Sequence, residues 1–168
     1  MERWLAELAA DEARRERRRL YLNDLVRHES ATMLGHLVDI AERGDRITVD
    51  THARAVHGRV VGVGPDAVVL ADSGRRCVVA IPAVGALRTN TTDAPTGDRG
   101  PSLDMTLAEI LYELAAERER VTVTTKAGQR IVGTLVTMGA DILSVRLDGA
   151  EAHTAVVPLD AINDVAIS

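Results

Sequence analysis

Phenylalanine is absent from this chain, and across its 168 residues the aromatic side chains are Trp4, Tyr21 and Tyr112. A hydrophobic content of 46% is that of a globular protein, so its core must be built from Ala, Val, Leu and Ile. Cys77 is the single cysteine, which excludes an internal disulfide. No apolar run approaches the roughly twenty residues that a membrane-spanning helix needs, and no signal-peptide pattern opens the chain, so the expected location is the cytoplasm. Lysine is nearly missing too. Nineteen of the twenty basic residues are Arg, a bias expected of a GC-rich genome.

What is present is said twice. A helix-like stretch runs into a series of short strands at Leu34–Leu87 and again at Ala108–Val165. Arg46-Ile47-Thr48-Val49 aligns with Arg120-Val121-Thr122-Val123, and Val63-Gly64-Pro65-Asp66 with Met138-Gly139-Ala140-Asp141. Further on, the spacing matches Ala80-Ile81-Pro82 to Val156-Val157-Pro158. The period is longer than the roughly 20–50 residues of solenoid repeats, which points to duplication of a small domain. A unit near 60 residues buries only about 60% of its unfolded surface, so each copy alone is marginal.

Residues 1–30 read as a leading helix, apolar at its ends and charged in the middle, where Arg14, Arg15, Arg17, Arg18 and Arg19 interleave with Glu12 and Glu16. A second helix over Thr32–Arg43 ends at a Gly44 cap. Its counterpart over Thr106–Arg118 opens with a Thr106/Glu109 capping box. Period-two alternation then predicts antiparallel strands through Ile47, Val49, Val56 and Val60, and through Val121, Val123, Ile131 and Leu135. Gly58 and Gly133 mark bends, Asp66 and Asp141 cap the turns beside them, and Asp72-Ser73-Gly74 and Asp148-Gly149 read as hairpin turns. Residues 89–103 lack apolar periodicity and read as a mobile linker. The expected division is therefore 1–30, 31–88, 89–103 and 104–168.

Helix, strand, bent strand, strand and a closing pair is an order that resembles the Sm-like barrel. The second copy carries the resemblance in Val121-x-Val123, Lys126-x-Gly128, Gly133-x-Leu135 and Asp141. The resemblance implies a mainly β chain with helices (α+β): two tandem Sm-like, SH3-like small antiparallel barrels, each under a helix, joining through edge strands. Family members place an Asn after the bend and an Arg-Gly in the second motif. Here Leu143 and Pro158-Leu159 stand at those points, and the first copy has Val68-Val69-Leu70 and Ile81-Pro82-Ala83. The fold carries over and the RNA-contact residues do not. Two barrels per chain would let three chains mimic a six-membered ring, with a side-by-side monomer or a dimer equally open.

The expected function is non-catalytic: a self-associating interaction or scaffold protein that takes no cofactor, metal or small-molecule substrate. Trp4, Leu5 and Leu8 form a stripe for a partner helix, and Val132 and Val136 face outward from the second copy to pack against another barrel. The alternative is an RNA- or DNA-binding regulator. Residues 1–90 carry 14 basic against 13 acidic side chains and residues 91–168 carry 6 against 12, so the negative charge lies in the second half. Arg54, His57, Arg59, Arg75 and Arg76 could form a phosphate-contact patch, joined by Arg14, Arg15 and Arg18. Against base stacking stands the lack of aromatics in the strands. Enzyme readings are weaker. Gly58-x-x-x-Gly62-x-Gly64 continues as strand rather than opening a helix, His28, Glu29, His36 and Asp39 lack metal-ligand spacing, and Cys77 sits in an apolar strand as a structural thiol.

Overall fold

The computed structural model describes residues 2–90, 99–149 and 153–168, with the side chains of residues 2–10, 27 and 28 outside that description. Helix α1 spans Glu2–Glu29 and α2 spans Met33–Arg43; five strands follow, β1 (Arg46–Thr51), β2 (Ala55–Val63), β3 (Ala67–Asp72), β4 (Arg75–Ala80) and β5 (Val84–Thr89). The second copy repeats the series as α3 (Leu107–Ala116), β6 (Arg120–Thr125), β7 (Arg130–Met138), β8 (Ile142–Leu147), β9 (Thr154–Pro158) and β10 (Ile162–Ile167).

Local chemistry sets the helix ends. The Thr32 hydroxyl accepts from the Gly35 N–H, and Thr106 and Glu109 form a reciprocal capping box. The backbone N–H of Thr106 and its hydroxyl both donate to Glu109, which holds that carboxyl below the usual range. At the other end Gly44 adopts a φ of 70°, and Arg118 takes the same left-handed conformation at the equivalent position with a φ of 56°. Ser73 and Gly74 both have positive φ, as a two-residue hairpin of primed type requires.

The ten strands form one antiparallel sheet in the order β5-β1-β2-β3-β4-β10-β6-β7-β8-β9. The fold is thus mainly β with helices, but the expected pair of separate barrels is replaced by one open sheet. The cause is the pairing of β4 with β10, which satisfies the edge groups of both copies across the joint instead of within either one. Both copies carry the order fifth-first-second-third-fourth. They even share their irregularities: the register shifts at Val60/Gly62 in β2 and at Leu135/Thr137 in β7, and again at Asp50/Thr51 and at Ile162/Asp164.

Register also corrects the expected alignment of the closing strands. Ala67 pairs with Ala80, and its equivalent Ile142 pairs with Pro158, so Ala80 corresponds to Pro158 and not to Val156. The β3–β4 turn is two residues, Ser73 and Gly74, whereas β8 and β9 are separated by six, and the additional residues fall there.

Two cores lie along the sheet. Leu37 and Ile40 of α2 pack on Val49, Val60 and Leu70, while Leu111 of α3 packs in a cluster with Val123, Leu135 and Val145. Strand β4 serves both: Val79 points into the first core, and Val78, with Ala67 and Ala80, belongs to the second. Full burial of such a side chain is worth about 1.5–3 kcal/mol, so the joint is an extension of the core. The end of the connector is fixed as well, because the N–H groups of Ser102 and Leu103 both donate to the Val63 carbonyl, at 2.8 and 2.9 Å. Arg99 meets Glu42 and the buried Asp39 on α2.

Candidate functional site

Alternation along β2 leaves His57, Arg59 and Val61 exposed and buries Val56, Gly58 and Val60. Arg46 pairs with Arg59, Arg59 with Ala71 and Ala71 with Arg76, so one row across β1 to β4 places three arginines on the same outer face. Arg54, His57, Asp72, Arg75 and Arg76 line a groove of about 230 Å³ at the end of that face. The cations differ in how committed they are. Arg46 is bound to Asp72, whose carboxyl it holds below the ordinary range, and His57 Nδ1 lies 2.8 Å from the Thr48 hydroxyl. Arg59, Arg75 and Arg76 have no acidic partner among the described residues.

Arg54 is turned away to a different task. Its guanidinium donates through Nε, at 3.1 Å, and through a terminal nitrogen to the carboxylate of Asp164 on β10, which is fully buried. That pairing raises the Arg54 pKa above its ordinary value. Asn163 donates to the Thr51 hydroxyl at 2.7 Å and to Asp164 at 2.9 Å, which extends the network across the joint. The Cys77 thiol also donates to Asp164, at 3.5 Å. Burial first, and the Asp164 carboxylate second, push this thiol up to about 12, so it stays protonated at neutral pH. Sequence reading missed this cluster because the partners of Asp164 lie far back in the chain, Arg54 by 110 positions and Cys77 by 87; its one signal was an Asn-Asp pair inside an otherwise apolar strand.

Beside the joint lies a cleft of about 660 Å³, walled by Ala80, Pro82, Leu107, Ile142 and Pro158 and rimmed by Asp66, Asp141, Asp160 and Lys126. Asp66 was expected to cap its own turn. Instead its Oδ1 accepts a 2.7 Å hydrogen bond from the N–H of Leu107, the first residue of α3. The reason is the fixed connector, which carries the start of α3 to the β2–β3 bend, where a carboxylate suits the positive end of the helix.

The other sequence candidates stand apart from the groove. Arg14, Arg15 and Arg18 are exposed on α1, outside its lining. Val132 is 36% exposed at the position equivalent to His57, and the half-buried Val136 borders a shallow cleft with Tyr112 and Arg118. The side chains of Trp4, Leu5 and Leu8 lie outside the described residues. Among the described residues, no group of three or more His, Cys, Asp or Glu is placed to hold a metal ion, and no helix is long and apolar enough to cross a membrane. No family model matches the chain, and no curated protein matches it in sequence.

Proposed function

We propose that this chain is a non-catalytic interaction or scaffold protein of the cytoplasm, built from two Sm-like units, that associates with further copies of itself. The order fifth-first-second-third-fourth in both copies, each under its own helix, supports the Sm-like reading. The observation that carries the function is the β4–β10 pairing: two copies of the unit are already joined edge to edge, and the sheet then ends on β5 and β9. Neither terminal strand has the inward charges or charge-rich edge that keeps sheet ends apart; β9 is Thr-Ala-Val-Val-Pro and β5 carries one charge, Arg88. Sedimentation velocity over a wide concentration range tests this. A mass that rises with concentration is expected, and a monomer throughout would remove self-association from the reading.

A second reading, nucleic-acid binding, is favoured by Arg59, Arg75 and Arg76, cations of the first copy that no described carboxylate neutralises. Anisotropy titrations with single-stranded RNA and duplex DNA at two salt concentrations decide it. Phosphate-led binding must weaken steeply with salt and on changing these three arginines to Ala; no binding at low salt ends this reading.

A further inference from the structure

Helix α3 and strand β7 border a groove whose counterpart in the first copy is filled by the chain itself. The caps Thr32 and Thr106 make Glu113 the counterpart of Asp39 and Tyr112 that of Val38, and the shared register shift makes Thr137 the counterpart of Gly62 and Met138 that of Val63. In the first copy the end of the connector lies along this line. Arg99 donates to Asp39 at 3.0 Å and to both carboxylate oxygens of Glu42. The N–H groups of Ser102 and Leu103 donate to the Val63 carbonyl, and the Val63 N–H donates to the Ser102 hydroxyl at 3.0 Å. Leu103 lies so close over Gly62 that a Cβ there would collide with it. Val38 and Val63 are 4% and 0% exposed in this setting.

No described residue covers the second groove in that way. Tyr112 is 62% exposed, Thr137 is exposed and Met138 is half-buried, and with Ala115 and Val136 they line a cleft of about 290 Å³. Met138 faces Leu143 on β8, and the N–H of the next residue, Gly139, donates to the Ile142 carbonyl. Antiparallel strands alternate hydrogen-bonded and non-bonded pairs, so the N–H and carbonyl of Met138 point away from β8. Strand β6 stops at Arg120, opposite Thr134, and does not reach them. Among the described residues neither group has the partners that Val63 finds in Ser102 and Leu103, and Glu113 and Glu117 have no cation.

We infer that this groove binds an extended peptide of a partner protein, one that carries an arginine three residues before a serine, the spacing of Arg99 and Ser102. The serine hydroxyl accepts from the Met138 N–H, and the N–H groups of the serine and the residue after it donate to the Met138 carbonyl. The arginine meets Glu113, with Glu117 one turn further along the helix. Net charge favours the same partner, because residues 91–168 carry 6 basic against 12 acidic side chains. Thr137 stands where Gly62 admits Leu103, so the residue after the serine must be small, and the connector of a second copy is a poor fit. The inference rests on the interaction-protein reading above and not on self-association.

The probe is a fluorescein-labelled peptide, Arg-Gly-Pro-Ser-Ala-Asp-Met, which is residues 99–105 with alanine in place of the leucine. Its anisotropy is expected to saturate on titration with the full chain. E113K, at an exposed position, is expected to leave the melting temperature unchanged and to weaken binding by about tenfold, since it sets like charges together. A peptide that keeps the leucine is expected to bind the wild type less well and to recover on T137G, the change that copies Gly62. Amide NMR shifts locate the contact: on saturation Thr137 and Met138 move and Val63 does not. Shifts at Val63 in place of Met138 would mean that the peptide displaces the connector, which overturns the inference. So would saturable binding indifferent to E113K, or no saturation by about 1 mM, the range of the weakest specific contacts. None of these results bears on association between copies, which sedimentation reports separately.

Discussion

Arg54 and Asp164 lie 110 residues apart and form an ion pair across the β4–β10 joint, with the carboxylate fully buried and the arginine side chain 42% exposed. That asymmetry decides which partner is dispensable. With Asp164 gone, Arg54 turns to water; with Arg54 gone, Asp164 has no such exit.

Arg54→Ala is therefore expected to cost about 3–5 kcal/mol, the scale for stranding a buried charge. Asp164→Ala is expected to cost about 1–2 kcal/mol, for lost hydrogen bonds and packing. Urea unfolding of the two variants measures the difference, and equal losses would mean that Asp164 is solvated in the folded chain.

Arg118 occupies a conformation that glycine holds in the first copy. The hydrogen bonds after the two helices match: Gly44 and Asp45 donate to Ala41 and Ile40, and Arg118 and Glu119 donate to Ala115 and Leu114. A left-handed φ costs a side chain about 1–2 kcal/mol, part of which glycine returns through its freer unfolded state. Arg118→Gly is expected to stabilise by about 0.5–1 kcal/mol, a rise of roughly 2 °C in melting temperature. A fall would show that the Arg118 side chain makes a compensating contact.

Gly58 and Gly133 occupy equivalent strand positions but tolerate alanine differently. A Cβ at Gly133 would lie 2.0 Å from the Arg146 carbonyl oxygen, against 3.0 Å from that of Ala71 at Gly58. Gly58→Ala is expected to cost about 1–3 kcal/mol, the usual scale of overpacking. Gly133→Ala is expected to cost more, because backbone must move. Thermal melts of both variants rank them, and the reverse order would refute the close approach of β7 and β8.

For Cys77 the prediction concerns alkali. Its thiol is ordinarily at 9.0 and stands at about 12 in the folded chain. The folded state therefore keeps the proton that the unfolded chain releases, so this contribution to stability is complete below pH 9 and is lost as pH rises from 9 towards 12. Unfolding measured across that window is expected to show the decline, and Cys77→Ala to reduce it. At pH 8 a thiol reagent should label Cys77 only on unfolding.

Alternation, the Thr106/Glu109 box and the Gly44 cap were legible because each is a local pattern, fixed by neighbours within a turn or a hairpin, and the duplication was legible because such local patterns recur in the same order. The joint was not. Val78 and Val156 occupy equivalent strand positions, yet one is buried and the other exposed, and what separates them is a strand more than eighty residues away from Val78. Asp66 reads as a turn residue because its helix partner, Leu107, lies 41 positions on. Of the proposed cationic patch, the shared face of His57 and Arg59 follows from period-two alternation, whereas the diversion of Arg54 to a buried carboxylate depends on pairing that no local pattern encodes.

The sharing of β4 between two cores leaves the chain with no clean cut. Residues 1–90 alone would bear Val78 naked on one side, and residues 99–168 alone would lack a wall that Ala67, Val78 and Ala80 now provide. A protease that nicks the connector should therefore yield two fragments that stay together and melt as one, and either fragment made alone should be insoluble until it meets the other.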